Sequence, residues 1–103
     1  MNRRAFGPAR QQGLRVYGAT ITPFKGSFIW TEARAQSWRE INNWIRTSRM
    51  FDGVFDFAKA TADPADPDRL NPAHDSGDHL HPNDAGCVAM ANAVDLNRLL
   101  VNR

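Results

Sequence analysis

Apolar residues along the chain follow two different periods. Residues 14–22 (LRVYGATIT) are rich in Leu, Val, Tyr, Thr and Ile and read as a strand, with Gly18 marking a close approach and Pro23 stopping it. From Thr31 the period becomes helical. Ala35, Trp38, Ile41 and Ile45 recur on one side with Trp44 beside them, while Arg34, Arg39, Glu40 and Arg46 take the other. Thr31 suits the N-cap, Glu32 suits the positive helix start, and Arg46 and Arg49 suit the negative end. The pattern therefore predicts a helix over 31–47 that ends within 48–52. Residues 53–57 (GVFDF) read as a second strand. Strand, helix and strand in this order form a right-handed unit whose strands are parallel.

A short turn of helix is expected at 58–61. Residues 62–82 read as loop, because Pro64, Pro67, Pro72 and Pro82 block regular structure. Loops of that length are usually functional. Asn83 caps a final helix predicted over 83–101, with Ala85, Val88, Ala89, Ala93, Leu96 and Leu100 on its apolar face. Residues 1–13 read as an irregular lead or a frayed helix.

Composition narrows the class. The chain has 103 residues and 42% hydrophobic content, enough for one small domain or part of one and too few for two. With 23% charged and 10% aromatic residues it is not a disordered composition. No apolar run is long enough to span a membrane. A net charge of +2 gives no argument for nucleic acid. The charge is uneven, with Arg3, Arg4, Arg10 and Arg15 at the start and a run of Asp in the later loop. The basic start reads as a solvated helix end. Met1–Arg4 has the charge of a signal-peptide start, but no apolar segment follows it. Cys87 is the only cysteine, which excludes an internal disulfide and a cysteine-based zinc site. It is expected to be a small buried hydrophobe on the last helix.

The chemistry concentrates in Asp75-Ser76-Gly77-Asp78-His79-Leu80-His81-Pro82-Asn83-Asp84-Ala85-Gly86. Asp78 lies three residues before His81, so one tight turn brings carboxylate to imidazole. The carboxylate then holds the proton on one ring nitrogen and leaves the other free to take a proton from a nucleophile. Pro82 pushes His81 toward an extended backbone. Two other readings attach to this loop. The Asp–His pair is also what a purely structural hydrogen bond beside a helix cap looks like. His79 and His81 also have the spacing to chelate a metal with Asp75 or Asp78. His74 is expected to be solvent-exposed. Asp63, Asp66 and Asp68 lack the Asp-x-Asp-x-Asp-Gly loop and distal Glu of a calcium site, so turn chemistry accounts for them. Trp38 and Trp44 are expected in the core. Phe28 and Trp30 suit an acyl pocket or core packing equally.

The string DHLHPNDAG followed by a helix resembles the last block of GDSL/SGNH-type serine esterases and lipases, in which an Asp-x-x-His-Pro segment supplies the acid and base of the triad. VYGATITPFKGS, the Trp38–Arg46 helix and the GVFDF strand resemble the same family in the same order, so the likeness runs over residues 8–100. The resemblance implies a partial three-layer α/β/α sandwich, flavodoxin-like, with two parallel strands, the 31–47 helix on one face and the 83–101 helix on the other. It implies Asp78 as triad acid and His81 as general base, no cofactor, and an acetylated sugar or small acyl ester as substrate. The family's Gly-Asp-Ser nucleophile, oxyanion-hole glycine and Gly-x-Asn-Asp segments have no match here, and none of Ser27, Ser37, Ser48 and Ser76 has a Gly-Asp-Ser context. Cys87 stands where many relatives would carry an aromatic.

The chain is therefore expected to be the C-terminal portion of one such domain, inactive by itself. Its parent is expected to be a secreted bacterial enzyme. An open strand edge is expected to mark where the other half pairs, or where copies self-associate. A non-catalytic interaction module and a metal-binding loop protein are the competing functions.

Overall fold

A computed structural model of the chain describes residues 6–100. Among them, helix and strand are mixed. α1 (Gly7–Gln11) precedes β1 (Tyr17–Ala19), α2 (Glu32–Thr47), β2 (Gly53–Phe55) and α3 (Phe57–Thr61). Then come β3 (Ala62–Asp63), β4 (Asp66–Leu70), a 3-10 turn (Pro72–His74), α4 (Asp84–Asn92) and α5 (Leu96–Leu100). The expected basic start at Arg3 and Arg4 lies outside the described residues, as do the signal-like Met1–Arg4 segment and position 101.

β1 and β2 are parallel, with Tyr17 opposite Gly53 and Ala19 opposite Phe55, as the strand–helix–strand pattern predicts. Tyr17 and Phe55 stack on one face, with ring centroids 5.5 Å apart. Arg98 of α5 closes on Gly53 there, and the Tyr17 hydroxyl donates to the Arg98 carbonyl. On the other face Gly18 meets the Phe51 ring, where a Cβ would come within 2.8 Å, and Phe51 packs edge-on against Trp44 of α2.

β1 is shorter than residues 14–22. Its ladder stops because α2 takes over the Ile21 backbone. Asn42 Oδ1 accepts from the Ile21 N–H at 2.8 Å, while Asn42 Nδ2 and the Trp38 indole N–H both donate to its carbonyl. Asn42 is accordingly 2% exposed, and Ile41, expected in the core, is 45% exposed. Hydrogen-bond demand at the strand end overrides the apolar periodicity here. Ala35, Trp38 and Ile45 are buried as expected, and Trp44 is half-buried. The Thr31 hydroxyl caps α2 by accepting from the Arg34 N–H, and Arg49 follows the helix end at φ 60°.

Two expectations are corrected downstream. The 62–82 segment is not all loop, because β3 and β4 form an antiparallel hairpin with an irregularity between Ala62 and Asp63. Its prolines are tolerated because a two-stranded ribbon needs only half of its N–H groups. Nor is 83–101 one helix. It breaks after Asn92, where the Ala93 N–H is shared among carbonyls of the preceding turn and Asp95 accepts from the Arg98 N–H. The predicted apolar face stays out of the core, since Val88, Leu96 and Leu100 are 58%, 65% and 77% exposed.

The outer edge of β1 is unpaired among the described residues. Val16 and Thr20 bond toward β2, so the alternating Tyr17 and Ala19 groups point away from it. Such an edge templates pairing. Sedimentation equilibrium is expected to show concentration-dependent association that Ala19→Pro suppresses, because proline removes an outward N–H without touching the β2 ladder. A monomer at every concentration, with a sharp thermal transition, would count against this.

Candidate functional site

The loop between the 3-10 turn and α4 is organised by two aspartates. Asp75 Oδ1 accepts from the Gly77 N–H at 2.8 Å and the His79 N–H at 3.0 Å, and its Oδ2 meets His79 Nδ1 at 2.6 Å. Asp78 Oδ1 accepts from the Ser76 hydroxyl and from the Leu80 and His81 N–H groups at 2.9 and 2.8 Å. Its Oδ2 lies 2.5 Å from His81 Nδ1. The two turns overlap, which forces His79 to φ 61° beside Gly77 at φ 110°. A left-handed non-glycine residue costs about 1–2 kcal/mol, and the three contacts from Asp75 to Gly77 and His79 offset that.

The neck of the loop is closed by an Asp75–Pro82 bridge and by Asn83. The Asn83 N–H donates to the His74 carbonyl, its side-chain amide donates to the Ala73 and Asp75 carbonyls, and its Oδ1 caps α4 through the Gly86 N–H. A Cβ on Gly86 would lie 2.7 Å from the His74 carbonyl oxygen, so only glycine lets α4 seat against the neck. Gly86→Ala is expected to cost about 1–3 kcal/mol, as overpacking does, and to broaden the His79 and His81 resonances by loosening the loop. A thermal melt together with an imidazole-detected NMR spectrum measures both.

The expected pair is thus formed. An ionised carboxylate only accepts, so His81 Nδ1 carries a proton, and in the neutral tautomer this leaves the lone pair on Nε2. The His81 side chain is 72% exposed, leaving that lone pair open to an incoming group. Hydrogen bonding from the His81 ring, and next from the His81 and Leu80 N–H groups, holds the Asp78 carboxyl well below the usual carboxylate range. Burial pushes the Asp75 carboxyl up, but the Gly77 N–H and the His79 ring outweigh it and the net shift is downward. Carboxyls lowered in the folded state add stability that is complete above about pH 4 and lost as pH falls through their lowered values. Melting temperature is therefore expected to fall as pH drops below about 4, as circular dichroism melts through the acid range would register.

The loop lies against the segment that leaves the C-terminal end of β1. The His79 ring sits beside Gly26, and Leu80 shares a cavity with Ile21, Thr22 and Phe24. In open α/β sheets this is the side on which ligands bind.

Several expectations for individual residues are corrected. His74 is half-buried, not exposed, with Nδ1 enclosed and without a hydrogen-bond partner, because the neck and α4 close over it. Cys87 is exposed, since α4 buries only Gly86. Phe28 is 85% exposed, whereas Trp30 packs edge-on against Phe24 with centroids 4.9 Å apart, and neither lines the cavity that Leu80 borders. His79 and His81 each bind a different carboxylate through Nδ1, and no group of three or more His, Cys, Asp or Glu among the described residues is placed to hold a metal ion. Asp63 and Asp66 accept from N–H groups two residues on, which is turn chemistry, while Asp68 takes Arg39 at 2.7 Å.

None of the four serines donates to an imidazole. Ser27 Oγ is buried without a partner, Ser48 Oγ accepts from the Met50 N–H and Ser76 Oγ is bound to Asp78. Ser37 lies on α2 facing the cavity that Leu80 borders.

Sequence reasoning missed two features. The Asp75–His79 pair was readable only as a possible metal chelate, although Asp-x-Gly-x-His already carries a turn signal. The second is a polar knot at the end of β2. The Thr20 hydroxyl donates to Asp56 Oδ1 at 2.7 Å, Arg46 grips both Asp56 oxygens at 3.0 and 2.9 Å, and Asp56 caps α3 through the Lys59 N–H. Burial works against the Asp56 charge, but Arg46, Thr20 and Lys59 together bring its carboxyl below the ordinary value. A cavity of about 650 Å³ lies over this knot, between α2, α3 and the β3–β4 hairpin. Its charged groups are largely paired, and none of its lining residues belongs to the loop.

No helix among the described residues is long and apolar enough to cross a membrane. No protein-family model matches the chain, and no curated protein does.

Proposed function

We propose that these residues form the C-terminal portion of a GDSL/SGNH-like serine esterase domain, a flavodoxin-like three-layer sandwich whose remaining strands add to the open edge of β1. In this reading Asp78 is the triad acid and His81 the general base. The nucleophilic serine and the oxyanion donors belong to polypeptide outside the 103 residues. The supporting observation is the 2.5 Å Asp78–His81 contact on a ring whose free nitrogen is open to solvent, on the side of the sheet where β1 ends.

The chemistry follows from that geometry. Nε2 takes the proton of a serine hydroxyl as it attacks an ester carbonyl, and Asp78 steadies the imidazolium that results. His81 then returns the proton to the leaving alcohol, and in the second half it takes a proton from a water that attacks the acyl-serine and gives it back to the serine oxygen as the carboxylic acid leaves. The reaction class is carboxylic ester hydrolysis, on an acetylated sugar or a small acyl ester.

The test is direct. An in-frame Gly-Asp-Ser segment encoded upstream of Met1, and hydrolysis of p-nitrophenyl acetate by the polypeptide that includes it, are the expected results. An upstream sequence with no such segment, or turnover by the 103 residues alone that His81→Ala abolishes, would overturn the division of the triad.

A further inference from the structure

A cavity of about 300 Å³ lies directly behind the loop. Its lining is almost wholly apolar, with Ile21, Phe24, Ile29, Trp38 and Ile41 forming the walls and Leu80 the side nearest the histidines. Ile21 and Ile41 are 47% and 45% exposed, while Phe24 and Trp38 behind them are each 8% exposed. Ile41 stands here because Asn42 has taken its place in the core, so the displaced side chain borders an opening. The volume equals that of about ten water molecules. That is the small end of ligand pockets. It suits a short alkyl chain.

Leu80 joins this cavity to the Asp78–His81 pair. Its N–H donates to Asp78 Oδ1 at 2.9 Å, and it lies between the two histidines in sequence. An occupant that presses on the Leu80 side chain therefore acts on the backbone that holds the Asp78 carboxylate. Arg34 also lines the cavity, and its guanidinium is engaged by the Ile29 carbonyl at 2.9 Å, which stiffens one wall.

We infer that this cavity receives the alkyl part of a short acyl ester, and that Leu80 is the specificity-determining residue that couples chain binding to the Asp78–His81 pair. The inference takes its meaning from the ester-hydrolysis reading, but the binding it asserts is measurable without hydrolysis. A chain of several carbons fills the space, whereas an acetyl group leaves most of it empty.

The experiment uses the 103-residue chain with methyl acetate, methyl butyrate and methyl hexanoate as probes. Two NMR signals report: the Trp38 indole N–H, which donates to the Ile21 carbonyl at 2.8 Å in the cavity wall, and the His81 ring. Saturable changes in both are expected, with affinity rising about fourfold per methylene. Ile41→Gln, an exposed helix substitution, is expected to weaken methyl hexanoate at least tenfold and leave methyl acetate unchanged. Leu80→Ala keeps the backbone bonds to Asp78 and is expected to silence the His81 response. Equal affinity for acetate and hexanoate, no saturation at Trp38, or indifference to Ile41→Gln would each overturn the cavity assignment. Changes that follow protein concentration in place of ligand would assign the cavity to a second copy of the chain and overturn it too. A Trp38 response without a His81 response overturns the coupling. Failure of the longer polypeptide to hydrolyse esters removes the esterase reading and leaves these binding results standing.

Discussion

His81→Ala, in a polypeptide that carries both this segment and an upstream Gly-Asp-Ser block, is expected to lower kcat for p-nitrophenyl acetate by about 10⁴- to 10⁶-fold with little change in KM. The reason lies in what the ring does. In the proposed mechanism the serine proton reaches Nε2 only in the transition state, so losing the ring removes an interaction that the bound substrate does not make. Asp78→Asn is expected to cost about 10⁴-fold, because an amide no longer fixes the proton on Nδ1. It also alters the acceptor of the Ser76, Leu80 and His81 bonds, so the loop should lose order as well as activity. The 103 residues alone are expected to show no turnover above buffer. In the proposed mechanism each oxyanion donor, supplied by the other polypeptide, contributes about 3–4 kcal/mol, and no serine among the described residues is hydrogen-bonded to His81. Steady-state kinetics of the three proteins measures all of this. A His81→Ala enzyme within tenfold of the parent would remove His81 from the mechanism.

Asp56→Ala should destabilise the fold by about 3 kcal/mol, the sum of three losses. The α3 cap contributes about 1 kcal/mol. Thr20, 3% exposed, is left with a buried hydroxyl proton and no acceptor, which costs about 1–2 kcal/mol. The charge-assisted fork from Arg46 contributes the rest, kept small because Arg46 is 41% exposed and can rehydrate. In a chain of this size the total corresponds to a fall in melting temperature of roughly 12–24 °C. Glu40→Ala, on the exposed side of α2, is expected to change stability by less than about 0.5 kcal/mol and serves as the comparison. Thermal and urea melts distinguish them, and a shift under about 3 °C for Asp56→Ala would show that the knot holds nothing together.

The knot also bears on the site. Asp56 ends β2, Thr20 follows β1, and Arg46 comes from α2, so one carboxylate ties the C-terminal ends of both strands to the helix between them. The Asp75–Pro82 loop rests against the chain just beyond Thr20. Loosening the strand ends is therefore expected to reach the loop.

Local rules carried the sequence reading where the physics is local. Thr31 and Asn83 were readable as caps because a cap needs only a side-chain oxygen and the next N–H groups. The Asp78–His81 pair was readable because three residues and a turn fix that distance, whatever the rest of the chain does. The parallel strands were readable because a helix between two strands leaves one arrangement. Ile41 was misassigned, and Asn42 passed unnoticed, because apolar period alone does not register a strand end whose N–H and C=O need partners. The 83–101 helix was drawn too long because its apolar period continues through Ala93 and Leu96, while the Asp95 cap that restarts it looks like an ordinary surface residue.

The chain's own order of residues determined the helix caps and the contact between carboxylate and imidazole, since each is set by neighbours within a few positions, and the strand direction, since a helix between two strands leaves one arrangement. Only the three-dimensional structure decided that Asn42 replaces Ile41 in the core, that Asp56 joins Thr20 to Arg46, and that Leu80 meets Ile21 and Ile41 across a cavity. Those contacts link residues tens of positions apart, and their energies come from burial and hydrogen-bond satisfaction that exist only once the distant segments meet.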